Sequence, residues 1–327
     1  MITSAWLLAG TFIAGIAIWW MTRAARTGTA AGEKEARQVW RPITIFGMWV
    51  IVIGAVGTGL TGHFQGQEMV KLQPMKMAAA EAICVDTEGA AFTVAAFGDC
   101  HLEGDGGPFR IITIPGVASF LASNSFSSPE TGVQGAQEQL VELLNANSDF
   151  VDRYGDASQY DFRPPQMPVF WTFRLMIGVI VFPLLLVAWG LLALRGGRIP
   201  TDPWLGRYAI FSIITPFLGV AFGWIFTEMG RQPFVVYPSL DALSGGKPVG
   251  SVIQLTEMGV STAVSPIYIL LSMILFTVLY GVLGVVWVWL MRRYTLEGMH
   301  DPVDEEMDSS DPGTRDEAEA QALNFGY

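Results

Sequence analysis

Three short stretches of this chain place ionisable or sulfur-bearing side chains among apolar ones. In "AFGWIFTEMGRQPF", residues 221–234, a run of twenty uncharged residues (208–227) ends in Glu228 and then Arg231. Trp224 and Glu228 are four apart and share a helix face, with Arg231 one turn later. Gly230 admits the close approach of another backbone or a flat cofactor, and Pro233 stops the helix. This combination points to a ligand or cofactor pocket at the end of an apolar helix. The plainer alternative is an interfacial Glu–Arg pair of small energetic worth.

In "QPMKMAAAEA", residues 73–82, Lys76 and Glu81 stand isolated among Ala and Met. Such charges suit recognition of the polar headgroup of a lipid-soluble molecule; the alternative is two solvated loop charges. In "VFWTFRLMIGVIVF", Arg174 lies inside an apolar run, where a charge costs about 2.5–3.5 kcal/mol at a helix centre and less near its ends. It is either a functional group or an interface anchor. Met176, two residues on, reads on composition alone as a core or lipid-facing side chain. The histidines, His63, His101 and His300, all lie outside the apolar runs. His63 reads as an interfacial residue rather than a metal ligand.

The elements that carry these residues are membrane helices. Of the 327 residues 51% are hydrophobic and 15% charged, where a soluble domain carries about a quarter charged residues. Five apolar stretches (2–21, 43–62, about 167–194, 208–227 and 263–291) each reach the ~20 residues that cross a bilayer as a helix. The first lacks the basic flank and cleavage site of a signal peptide. Because the chain begins inside that apolar run, it reads as one that starts mid-protein. The expected fold is an all-α integral membrane protein: two helices in 1–63, a large extracytoplasmic loop in 64–165, three helices in 166–294 and an acidic cytoplasmic tail in 295–327.

Orientation follows from the basic residues of the short loops. Arg23, Arg26, Lys34, Arg37, Arg41, Arg195, Arg198, Arg207, Arg292 and Arg293 all fall on one side. That side is expected to be cytoplasmic, with the N-terminus outside and the C-terminus inside. The long loop holds 14 acidic and 5 basic residues, and the tail from 297 onward holds 10 acidic residues and one Arg. This balance argues against nucleic-acid binding, and the tail reads as a solvated end. Cys84 and Cys100 both lie in the external loop, where an oxidising compartment favours a disulfide over two free thiols. The loop is also expected to hold a short helix over 76–82, strands or a hairpin in the Gly-rich part, and an amphipathic helix carrying Leu140, Leu143 and Leu144.

Taken together, "QPMKMAAAEA", "FRLM" and "GWIFTEMGRQPF", in this order, resemble subunit I of cytochrome bd-type quinol oxidases. The last is similar to the family's Gly-Arg-Gln-Pro-Trp signature, with Phe234 in place of the Trp. The resemblance implies a bacterial plasma-membrane terminal oxidase that takes electrons from ubiquinol or menaquinol and reduces oxygen to water. It implies Met176 as an axial ligand of a low-spin haem b, and Arg174 beside that haem, reaching a propionate or quinol group. Lys76 and Glu81 become residues of the quinol-binding loop. Glu228 becomes a carboxylate at an oxygen-reducing dihaem site (a high-spin haem b with haem d or a second high-spin haem b), surrounded by Trp224 and Arg231. The implied partners are subunit II, membrane lipid and the N-terminal part of subunit I. That part would bring the histidine opposite Met176, so the chain reads as truncated or as half of a split subunit, and inactive alone. The competing readings are a non-enzymatic membrane sensor or transporter, and an inactive fragment of the oxidase subunit.

Overall fold

A computed structural model describes residues 2–100, 107–238, 253–259 and 263–297. The chain divides into two compact units, residues 1–260 and 261–327. Among the described residues, five helical segments are long and apolar enough to cross a membrane, four in the first unit and one in the second.

The first crossing is α1 (Ile2–Arg26), followed by a short helix α2 (Ala30–Glu35) and a π-turn over Ala36–Trp40. Helix α3 (Arg41–Leu72) starts there. Pro42 has no N–H to give to the carbonyl four residues back, and the wider π-turn accommodates that gap. Helices α1 and α3 cross closely at small residues. A Cβ on Gly54 would fall 2.5 Å from the Leu7 backbone nitrogen, and one on Gly47 would fall 2.7 Å from that of Ala14. Lipid offers helices no hydrophobic drive to associate, so such small-residue seams bring the backbones together. Helix α3 does not stop where its apolar run ends at residue 62. It continues to Leu72, supported by a Lys71–Glu68 ion pair of 2.9 Å. Gln73, which precedes Pro74, is disfavoured in helical geometry and ends it.

Crossings three and four are each kinked by a proline. The third is α8 (Gln166–Gly178) and α9 (Val181–Leu194), and the fourth is α10 (Pro203–Ser212) and α11 (Thr215–Gly230). Pro183 faces the carbonyl of Val179, just past α8, and Pro216 faces that of Ser212, the last residue of α10. In the second unit, α12 (Pro266–Glu297) is an unbroken helix of 32 residues.

Between the second and third crossings lies a folded loop. Helix α4 (Pro74–Glu81) closes on Ala82 with φ +55°. The antiparallel pairs β1 (Thr87–Glu88) with β4 (Pro129–Glu130) and β2 (Phe92–Phe97) with β3 (Phe109–Ile114) follow, with helix α5 (Val117–Ser123) between them. Helix α6 (Val133–Asn145) buries Val133, Ala136, Leu140 and Leu144, one stripe of a 3.6-residue period. Leu143 is half-buried against the same core. Helix α7 (Ser148–Tyr154) leads back to α8. Cys84 and Cys100 form a disulfide. The loop core is continuous with the start of α8 and the end of α11, joining Met75, Leu140, Leu144, Phe150 and Phe162 to Val169, Phe226 and Phe234. The acidic tail beyond residue 297, His101 and His300 lie outside the described residues.

Candidate functional site

Helix α4 brings the first site together. Its sequence is mostly Ala and Met, so it packs flat, and its two charges are carried inward: Lys76 is 1% exposed and Glu81 7%. Ions in such surroundings need partners, because unpaired buried charge costs several kcal/mol. Glu81 finds Arg174 of α8, with the guanidinium and carboxylate 2.6 Å apart and both side chains under a tenth exposed. The other donors of Arg174 reach the carbonyls of Thr93, at 2.8 Å, and Ala80. Phe92, Phe170 and Phe173 surround the guanidinium at 4.3 to 5.3 Å. Arg174 therefore locks α4 and β2 onto α8. Burial pushes the Glu81 carboxyl up to about 7, against the downward pull of Arg174.

Lys76 lies against α11. Its Nζ stands 4.6 Å above the Phe226 ring, a cation–π contact. Its stem covers Gly230 so closely that a Cβ there would be 2.9 Å from Lys76 Cγ and Cε. Burial lowers its proton affinity to a pKa of about 8; Glu228 opposes that shift and Arg231 adds to it. Thus Lys76, Glu228 and Arg231 share one electrostatic neighbourhood. Glu228 and Arg231 pair directly at 2.5 Å, each about a third or more exposed, and Arg231 Nε is buried without a partner.

Met176 and Trp224 take different positions. Met176 is half-buried, with its sulfur against Gly223 of α11, where a Cβ would come within 3.0 Å of it. Trp224 is 67% exposed on the open side of α11, the same side as the part-exposed Glu228. Among the described residues no three His, Cys, Asp or Glu side chains converge as a metal site, so Met176 and Glu228 stand as separate candidate ligands. His63 is 2.8 Å from Asn124 Oδ1 and 3.2 Å from Gln67 Nε2.

Sequence reasoning missed the aromatic cage and the clamp behind α11. Phe170 and Phe173 sit four and one residues before Arg174, a spacing that could have flagged them. Phe92 and Thr93 come from a distant strand and carry no such signal. Thr256, which bonds to Gln232 and Pro233, was likewise not visible as a site residue.

A family model described as cytochrome bd terminal oxidase subunit I matches residues 1–299. The chain is 32% identical over 267 residues to cytochrome bd ubiquinol oxidase subunit 1 of Bacillus subtilis (strain 168), covering 81% of this chain and 51% of the relative. It is 27% identical over 320 residues to a putative cytochrome bd menaquinol oxidase subunit I of the same organism, covering 95% and 59%. In fold it resembles the bd oxidase from Geobacillus thermodenitrificans, with a TM-score of 0.57 at 20% identity, covering 91% of this chain and 56% of that one. The chain thus spans between half and three fifths of the relatives it matches.

Proposed function

This chain belongs to the cytochrome bd terminal oxidase subunit I family, and from that premise we propose that it carries the quinol-oxidising face of a membrane-bound terminal respiratory oxidase. That enzyme would oxidise ubiquinol or menaquinol and reduce oxygen to water. The observation that carries the reading is α4: one short helix buries a lysine and a glutamate, and seats each against a different membrane helix.

Quinol must lose two electrons, which would pass to the haem, and two protons. One carboxyl can take the protons only in succession, releasing the first before it accepts the second. Glu81 is the acceptor, because a carboxyl held near pKa 7 can take a proton and release it again at neutral pH. Lys76, with its ammonium above an aromatic ring, holds the quinol oxygens. Arg174 acts as the positioning group that keeps Glu81 ionisable and α4 docked, rather than reaching out to a propionate or quinol.

The residues fit one side of a low-spin haem b. Met176 offers a neutral, soft thioether that can be half-buried without a charge penalty, and the missing side chain of Gly223 makes room for its sulfur. Met176 would hold the haem, which would supply one-electron redox chemistry at a potential raised by Met ligation. Glu228, Trp224 and Arg231 would border the oxygen-reducing pair, a high-spin haem b with haem d or a second high-spin haem b. Subunit II and membrane lipid would complete the complex in the bacterial plasma membrane, with residues 64–165 extracytoplasmic and the tail inside.

The test uses the complete oxidase that contains this chain. Lys76→Ala and Glu81→Ala should each slow quinol oxidation by about 10²-fold or more, the span expected of a positioned acid–base group, with haem spectra preserved. Unchanged quinol kinetics in both variants would refute the assignment.

A further inference from the structure

Helix α11 ends at Gly230, and the three residues that follow turn the chain into β5 (Phe234–Val236). This turn forms the floor under Lys76 and carries Arg231. It has few bonds of its own: the Gln232 N–H donates to Met229 at 3.3 Å and that of Phe234 to Arg231 at 3.0 Å. Pro233 has no N–H at all. The turn is closed instead by a segment 24 residues further along the chain. Strand β6 (Gln254–Leu255) pairs antiparallel with β5, setting Leu255 opposite Phe234. Both side chains are buried, at 4% and 0% exposed, so the pairing is anchored in the loop core.

The next residue, Thr256, then grips the turn directly. Its backbone N–H donates to the Pro233 carbonyl at 2.7 Å, and its hydroxyl lies 2.8 Å from the same carbonyl and 2.7 Å from the Gln232 side-chain amide. One hydroxyl hydrogen cannot serve two acceptors. The hydroxyl donates to Gln232 Oε1, which leaves the amide nitrogen free to donate elsewhere, while the Pro233 carbonyl is already served by the Thr256 backbone N–H. The other end of the same amide reaches back to the Glu228 carbonyl at 3.4 Å. A threonine hydroxyl is thereby tied through one side chain to the backbone of the carboxylate residue.

We propose that Thr256 is a positioning residue: its hydroxyl holds the Gly230–Pro233 turn so that Lys76 and the Glu228–Arg231 pair keep their places. The inference rests on the reading of Lys76 as a quinol contact. Thr256 touches neither quinol nor haem in that reading; it acts through the turn.

The test compares Thr256→Val, which keeps the shape and loses the hydroxyl, with Thr256→Ser, which keeps the hydroxyl, in the complete oxidase. Thr256→Val should lower kcat/KM for quinol about fivefold or more at unchanged haem content, the loss expected of one hydrogen bond. Thr256→Ser should return it to within about twofold of the parent by the same reasoning. A second readout is independent of turnover: the infrared carboxylate band of Glu228, identified by its loss in Glu228→Gln, should shift in Thr256→Val and stay in place in Thr256→Ser. Gln232→Met removes the other half of the clamp, so it should reproduce the defect, and the double variant should be no worse than either single one. Parental kinetics and an unshifted band in Thr256→Val overturn the proposal, as do additive losses in the double variant. Should Thr256→Val not assemble, parental behaviour of Gln232→Met overturns it alone. A parent enzyme that does not oxidise quinol sinks the functional reading instead, and the infrared band then decides the clamp by itself.

Discussion

Glu81 and Lys76 are both held away from water, and burial moves each toward its neutral form: the carboxyl up to about 7, the ammonium down to about 8. This has a direction in pH. Below about 7 Glu81 is protonated and cannot accept a quinol proton, so kcat/KM for quinol should fall as pH drops through that value. Arg174→Gln removes the positive charge that favours the ionised form, so the limb should move to higher pH. A pH–rate profile of the two enzymes checks both statements, and a limb that stays in place in Arg174→Gln counts against Glu81 as the acceptor. Met176 makes a different kind of claim. In the complete oxidase, Met176→Ala should remove or shift the low-spin haem b spectrum and lower its potential, since a soft axial ligand is exchanged for an open position. A normal spectrum and potential would make Met176 a packing residue.

Elements set how firmly these side chains are held. Helix α4 is fixed twice at its C-terminal end, by Arg174 on Ala80 and Glu81 and by the disulfide, because Cys84 follows Glu81 by three residues and is tied to Cys100. The Cys100 N–H donates to Gln166 Oε1 at 2.9 Å at the start of α8, so the bridge also fastens the loop to the third crossing. Closing a loop of this size removes chain entropy worth about 3 kcal/mol in the loop-closure model. Replacing both cysteines by serine should therefore speed limited proteolysis within residues 83–100 and weaken quinol binding, while haem spectra stay normal. A proteolysis pattern identical to that of the parent would show that Arg174 alone secures the loop. The proline kinks at Pro183 and Pro216 set α8 apart from α9 and α11 apart from α10. Met176 and Gly223 meet between α8 and α11.

At the scale of the whole chain, ten Arg and Lys flank one end of the apolar segments, and the cystine lies in the loop at the other. Both features favour the proposal that residues 64–165 are extracytoplasmic. In a background without other cysteines, Ser125→Cys should react with a membrane-impermeant maleimide in intact cells. Thr27→Cys should react only after the membrane is opened. The reverse pattern would invert the orientation and detach the quinol assignment from its compartment.

Hydropathy and local spacing determined a good deal by themselves. The five crossings, the short helix after Pro74, the amphipathic α6 and the pairing of two cysteines were legible, because each depends on neighbours within a few turns or on composition alone. The continuation of α3 to Leu72 was not read, since polar residues there hid a helix that only Pro74 ends. Tertiary structure alone decided what the charges do. Glu81 lies 93 residues from Arg174 and Thr93 lies 81 away, so no local pattern could reveal that the arginine is consumed in docking α4. The same holds for Lys76 against Gly230 and Thr256 against Gln232. A buried ion shows in sequence only as an oddity among apolar residues; its partner is chosen by which distant backbones the packing brings within hydrogen-bonding distance.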